Sequence, residues 1–469
     1  MFSVEKAIVR PLPVVEREYL QILNEILVKK DWHSKIYNEA ILEKWRLEIS
    51  QSSADFAANP NRFTFLRDEL YFLAKERTLS VDINDCRLNI SPLVCPGVFI
   101  ADSVLHDRFS TLFVENVSVL ETQAIDEGHF HPGSNDQQLN LLHPSYYCLV
   151  YDKSLATNRP GAIVGTETVP YDRIQSRQSG KNYSKHFQWL PTDFEVDENG
   201  RVKLLSYINQ LHPSRHSSMY DAIARALELF VPLFELSLGS YNLSQPRRID
   251  AGTSNSEYVK YSSKSEYYEE LYDEEDDRSE TLSTFIENME ENDVPVPVVM
   301  PTMPEEFLSS MHALYNKRGQ SCSVMDGFKL KGRRLQVIVK MSSVFLTPEK
   351  PTYHGGHWHL EGMDNERIVA TGIYYYSMSN ISSSRLKFRT RYNPEDFDYE
   401  QNEYEGLEAV FGFKNHQDPP LQEAGDLEAI EGRFAVFPNY AQHQVLINHW
   451  ISLIIIIIWP FLHLFGMNC

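Results

Sequence analysis

Cysteine is scarce: five in 469 residues, odd in number and without CxxC spacing. That excludes a disulfide scaffold and a zinc ribbon, and it fits a reducing, intracellular setting, cytoplasmic or nuclear. Positive charge is also short. Lys plus Arg number 44 against 65 Asp plus Glu, a net charge of −21, so nucleic acid is not an expected partner. The first residues, MFSVEKAIVRPLPVVERE, lack a long apolar run, so no secretory leader is expected. Beyond Arg433 there is neither lysine nor arginine. What is present is a globular composition, 42% apolar and 12% aromatic, in a chain long enough to bury a large core.

The acidic excess is uneven. Residues 266–293 hold thirteen acids against Arg278 alone. With its Ser and Tyr content and few aliphatics, 251–304 reads as a mobile acidic insertion ending in a proline-rich connector, VPVPVVMPTMP. The chain therefore divides into a helical N-terminal region (1–85), a mixed middle region packed on the core (86–250), this insertion (251–304), a strand-rich core (305–449) and an apolar tail (450–469). Val14 to Ser50 and Phe63 to Lys75 are helical by spacing, as are Leu105 to Leu120 and Ser218 to Val231. Pro232 is expected to end or kink the last of these. Strands are expected at Leu335–Phe345, Ile368–Tyr376, Leu386–Arg391, Phe434–Phe437 and His443–Ile447, with turn residues between, which points to a β-sandwich or jelly roll. The fold class is α+β.

Chemistry concentrates in LQVIVKMSSVFLTPEKPTYHGGHWHLEGM (335–363). A β-branched run is broken by Pro348 and Pro351, and Gly355-Gly356 permit a sharp bend. In extended chain alternate side chains share a face, so His359 and Glu361 point together. A distant histidine, His443, completes a 2-His-1-carboxylate set, the ligand pattern of non-heme Fe(II) oxygenases. His357 shares the face of His359 and is a possible substitute ligand; His354 is a weaker one. On spacing alone a structural or zinc site, as in a cupin-like hydrolase, fits as well. His129, His131 and His143 flank a Pro132-Gly133 turn with no acid or cysteine completing a metal set, and read as solvent-facing loop histidines.

The segment from Leu335 to Ser377 is similar to the core of a fungal family known as domain of unknown function 4246. The resemblance extends to KKDWHSKIYNEAILEKWRLE (29–48), HPSYYCLVY (143–151), FQWLPTDFEVDENGRVKLLSYINQLHP (187–213) and EGRFAVFPNYAQHQV (431–445). It therefore covers nearly the full chain. It implies a double-stranded β-helix core and distant kinship to 2-oxoglutarate-dependent oxygenases of unknown substrate. His359, Glu361 and His443 would then hold Fe(II), while Trp358, Gly362 and Asn365 shape the pocket.

Such oxygenases hold the distal carboxylate of 2-oxoglutarate with a basic residue on a late strand. This chain has none there. Arg389 and Lys387, with Arg385 on the same strand face, are the candidate replacements for binding the co-substrate; the same residues read equally as a solvated edge. The tail, Trp450 to Phe465, reads as a segment foreign to the family, with a final strand or a membrane anchor as alternatives. Sixteen residues with Pro460 and His463 are short for a span, so a membrane is not an expected partner. The reading is an Fe(II)/2-oxoglutarate-dependent oxygenase of unknown substrate. The alternatives are a catalytically impaired β-sandwich that binds partners, and the zinc hydrolase.

Overall fold

The computed structural model describes residues 9–83, 86–104, 107–156, 167–171, 182–242, 247–259, 264–271, 281–291, 297–307, 328–353, 355–380, 384–400, 403–447 and 451–459. Its architecture is mixed helix and sheet, as expected. Three helices open the chain: α1 (Val14–Leu27), α2 (Glu39–Ser52) and α3 (Pro60–Phe72). In α1 the residues Tyr19, Leu20, Leu23, Ile26 and Leu27 recur at helical spacing and are all buried, giving one apolar stripe. Asn38 caps α2, accepting from the amides of Ala40 and Ile41, which satisfies two of its orphan donors.

Strands β1 (Leu79–Ile83), β2 (Cys86–Pro92) and β3 (Phe99–Val104) precede α4 (Asp107–Asp126). Then come β4 (Gln138–Leu142), β5 (Thr192–Val196), β6 (Val202–Leu204) and α5 (Ser217–Gly239). The C-terminal part supplies β7 (Arg333–Val344), β8 (Ala370–Met378), β9 (Ser384–Arg391), β10 (Leu421–Glu428), β11 (Arg433–Pro438), β12 (Gln442–Ile447) and β13 (Ile451–Trp459). Ten of these strands form one sheet in the order β1-β2-β3-β11-β8-β13-β7-β5-β6, with β4 also paired to β7. A smaller sheet runs β10-β9-β12.

Two cores flank the large sheet. On one face Val337, Val339 and Met341 of β7 join Tyr374, Phe434 and Ile456 beneath α4 and α5. On the other face Ile338, Ile373, Tyr375, Ala435 and Ile455 meet Leu386 and Phe388 of the small sheet and the N-terminal helices. Gly372 allows this close layering, since a Cβ there would stand 2.7 Å from a ring carbon of Phe230.

Four expectations need correcting. Helix α5 runs through Pro232 to Gly239, with Ala226 to Leu238 buried throughout; burial on this scale outweighs the one hydrogen bond a proline removes. Strand β10, LQEAGDLE, escapes a sequence search because its side chains lack a clean apolar alternation. Part of the acidic stretch is ordered: Lys264–Leu271 and Leu282–Glu291 are helices whose Tyr268, Phe285 and Met289 form a small core. Asn255 and Tyr258 are tied to the body of the protein, the amide of Asn255 donating to Asp398 O at 2.8 Å.

The fourth concerns the tail. Residues 451–459 form a central strand, antiparallel to β7 on one side and to β8 on the other. A run of β-branched residues suits a strand flanked on both edges and covered on both faces. Ile456 is fully buried. Among the described residues no helix is long and apolar enough to cross a membrane. Ile456→Ala should therefore lower unfolding stability by about 2–5 kcal/mol in urea denaturation; an unchanged midpoint would mean that β13 is not part of the folded core.

Candidate metal centre

The site forms where the irregular segment after β7 crosses the small sheet. The amide of His359 donates to His443 O at 3.1 Å, and the amide of His443 donates to His359 O at 3.0 Å. This reciprocal pair is the hydrogen-bonded unit of an antiparallel ladder. It is extended by Gly356 N to Val445 O at 3.2 Å and by Gln444 Nε2 to Gly356 O at 2.9 Å. Two turns away in sequence, Asn439 clamps the carboxylate arm. Its Oδ1 accepts from the Glu361 amide at 3.0 Å, and its Nδ2 donates to Glu361 O at 3.0 Å.

These clamps bring three side chains together. His359 Nε2 and His443 Nε2 lie 3.9 Å and 3.6 Å from Glu361 Oε1, and the ligand atoms of all three lie within 4.8 Å of one another. Among the described residues this is the group with the composition and spacing to hold a metal ion. His359 Nδ1 is 2.7 Å from the carbonyl of His357. A carbonyl can only accept, so Nδ1 carries the proton and the Nε2 lone pair faces the other two side chains. His357 thus supports the site through its backbone; its imidazole is not in the cluster. His354 lies outside the described residues.

The electrostatics favour a cation. Glu361 and His443 are 3% and 2% exposed. Burial alone would raise the carboxyl of Glu361, yet the charge of Lys340, then the neighbouring imidazoles of His443 and His359, hold it far below the usual carboxylate range. Burial, then the proximity of His443, lowers the imidazole of His359 and keeps it neutral. His443 Nδ1 is buried with no hydrogen-bond partner among the described residues, and its Nε2 stands beyond ordinary hydrogen-bond length from Glu361. A buried imidazole left this way is costly without a further partner. Ligands about 2.1 Å from one ion and at right angles stand about 3 Å apart, so the gaps of 3.9 Å and 3.6 Å would have to narrow by roughly 0.6–0.9 Å around an ion.

Arg389 and Lys387 are not brought into this cluster. In the register of β9 with β12, Phe388 faces His443, whereas Arg389 pairs with Gln442 and Lys387 with Gln444. Alternation sends both cations to the opposite face. Arg389 donates to Gln442 Oε1 at 2.7 Å and lies 4.5 Å above the Trp358 ring. Lys387 lines a separate cavity of 460 Å³ beside α1 and β10, and Arg385 pairs with Asp426 and Glu25. Gly362 has φ +69°, and a Cβ there would fall 2.6 Å from Ile368 Cδ1. Asn365 braces the approach to the site, accepting from Ser184 N at 2.7 Å and donating to Tyr151 Oη at 2.9 Å.

Sequence reasoning missed three participants. Asn439 was hidden inside a turn. Lys340 was signalled only as a lone charge in the apolar run LQVIVKMSSV. His143 had been placed in solvent. It packs instead against Trp189 and Tyr146 at ring separations of 6.3 and 6.0 Å, and it lies within reach of the charges on Lys340 and Glu361.

A mixed α+β protein with a His-Glu-His cluster, two of its members buried, is the class that fold and site define. Residues 68–448 match the family described as protein of unknown function DUF4246, and residues 3–48 match its N-terminal domain, also of unknown function. The chain belongs to this family. No curated protein matches it. Among solved structures it is similar to the crystal structure of EvdO2 from Micromonospora carbonacea var. aurantiaca complexed with 2-oxoglutarate. That match has 10% identity and a TM-score of 0.15, over 26% of this chain and 52% of the other. It spans about half the length of that chain, and a likeness of this size carries no argument about fold or function.

Burial, then the charge of Lys340, pushes the His143 imidazole down to about 4 from 6.5. Between those values the unfolded chain binds a proton at this position and the folded one does not, so stability rises with pH across that window. Urea denaturation from pH 4 to 7 should show a shallower rise in His143→Gln than in the wild type; identical slopes would contradict the buried, neutral imidazole.

Proposed function

We propose that this protein is a non-heme Fe(II), 2-oxoglutarate-dependent oxygenase built on a double-stranded β-helix. The observation that carries the reading is the set of two imidazoles and one carboxylate from His359, Glu361 and His443, whose ligand atoms lie within 4.8 Å of one another, the composition of the facial triad of such enzymes. The order of pairing supports it. In chain sequence β7, the 356–361 segment, β8, β9, β10, β11, β12 and β13 fall alternately or in pairs on two sheets. The large one reads β7-β13-β8-β11, and the small one reads 359-β12-β9-β10. That order supports the reading of an eight-stranded jelly roll. β13 takes the place of the closing strand in that order, although it carries no basic residue to anchor a carboxylate.

When bound, Fe(II) supplies the coupling of dioxygen to two electrons from 2-oxoglutarate, which is converted to succinate and carbon dioxide while one oxygen atom enters the substrate. The chain's own residues prepare the site for this. His359 and His443 would each offer a ring nitrogen, and Glu361 would contribute the carboxylate. Asn439 fixes the backbone of Glu361 through both ends of its carboxamide, and the His359–His443 ladder pair fixes the two imidazoles to one strand edge. Three protein ligands would hold the ion and leave room on it for co-substrate and dioxygen. Burial of Glu361 and His443 keeps bulk water from that side of the ion.

The test is anaerobic equilibrium binding of Fe(II), followed by succinate release in air with 2-oxoglutarate. The wild type should bind one iron per chain and release succinate, whereas His359→Ala should lose stoichiometric iron and turnover together. Full iron occupancy in His359→Ala, or zinc retained in preference to iron by the wild type, would contradict the assignment.

A further inference from the structure

We propose that Lys340 is the residue that holds the distal carboxylate of 2-oxoglutarate, from the first strand of the jelly roll rather than from a late one. The inference rests on the oxygenase reading above and supplies the cation that the C-terminal strand lacks.

Position comes first. Along β7 the odd residues Val337, Val339 and Met341 face the helices, while Ile338 and Val344 belong to the core between the sheets. Lys340 shares their face by alternation. The register across the large sheet sets it in one row with Ile455, Ile373 and Ala435, all three buried in the inter-sheet core. That core also contains Phe388 and Phe437, and the Phe437 ring packs 4.8 Å from the ring of His443. Lysine in such a row is out of keeping with a purely structural strand, because burying an ammonium without a partner is costly.

The lack of a partner is the second observation. Lys340 is half-buried, yet among the described residues no hydrogen bond or ion pair engages its ammonium. The neighbouring cations are committed elsewhere: Arg385 to Asp426 and Glu25, Arg389 to Gln442 and Trp358, and Arg433 to Asp102. Lys340 is close enough for its charge to act on Glu361, His359, His143 and His131. It is not in salt-bridge contact with Glu361, which leaves room between the ammonium and the three ligands.

A third observation gives that room a polar wall. Asn140 of β4 lies opposite Ser342 in the register, and so on the face of Lys340. It is 3% exposed. Its Nδ2 stands 3.4 Å from His131 Nδ1, and its Oδ1 has no partner. An unpaired lysine in this row suits a bound anion, and the metal set fixes where the other end of a 2-oxo dicarboxylate must lie. The chelating 2-oxoacid end then sits at the three ligands, and the five-carbon chain reaches toward β7 along the Ile455–Ile373 row.

The experiment is anaerobic titration of Fe(II)-loaded full-length protein with 2-oxoglutarate and with 2-oxobutyrate, which lacks the distal carboxylate, following the visible charge-transfer band. Wild type should prefer 2-oxoglutarate. Lys340→Met should bind Fe(II) no more weakly, bind 2-oxoglutarate about 10- to 100-fold more weakly, and lose its preference over 2-oxobutyrate. Lys340→Arg should recover part of that preference. Arg389→Met should match the wild type. If Lys340→Met keeps both the affinity and the preference, Lys340 is not the anchor. If wild type binds iron but gives no band with either 2-oxoacid, the oxygenase reading fails and takes this inference with it.

Discussion

One backbone pair holds the site together. The segment between β7 and β8 has little regular structure, and its position depends on the reciprocal hydrogen bonds between His359 and His443. Without that rung the histidine and carboxylate that follow the Gly355-Gly356 bend have no fixed relation to the small sheet. With it, both imidazoles leave the same strand edge, and Asn439 needs only to lock the Glu361 peptide to complete the set. Rigid main-chain positioning of this kind is what a preorganised ligand set requires.

Around that rung the protein keeps charges that a plain core would not tolerate. A buried carboxylate, a buried and an exposed imidazole and a half-buried, unpaired lysine are close together, and the described residues leave His443 Nδ1, Asn140 Oδ1 and the Lys340 ammonium without partners. A structural polar network would satisfy its members internally. Groups held buried but incomplete mark a place where something else binds. The apolar frame carries the cost. The inter-sheet core, the layer under α4 and α5, and the closing strand β13 together fix the large sheet on which Lys340 stands.

Much of this was legible in the sequence, and the remainder was hidden for identifiable reasons. His359, Glu361 and His443 could be found because alternation in extended chain is a strict rule, and the glycine bend and family-like motifs flanked them. The five expected C-terminal strands lie within a few residues of the observed ones. The helix through Pro232 was missed because local proline chemistry was weighed without the burial that overrides it. The Ile451–Trp459 run was set aside as foreign because it departs from the family pattern, although its β-branched composition is that of a central strand. Arg389 and Lys387 were placed by strand alternation, which puts them on one face but does not say which face meets the metal. Only the pairing of Phe388 with His443 settles that. His143 was placed in solvent, because its contacts with Trp189 and Tyr146 come from the folding of loops and leave no local signal.

The most direct measurement is a crystal structure of the protein grown without oxygen with Mn(II), a redox-stable stand-in for Fe(II), and 2-oxoglutarate, with the metal located by its anomalous scattering. The account predicts one ion, bound by His359, Glu361 and His443 and by two oxygens of the 2-oxoacid. A closed site of four protein ligands, or a metal peak away from these residues, would contradict it.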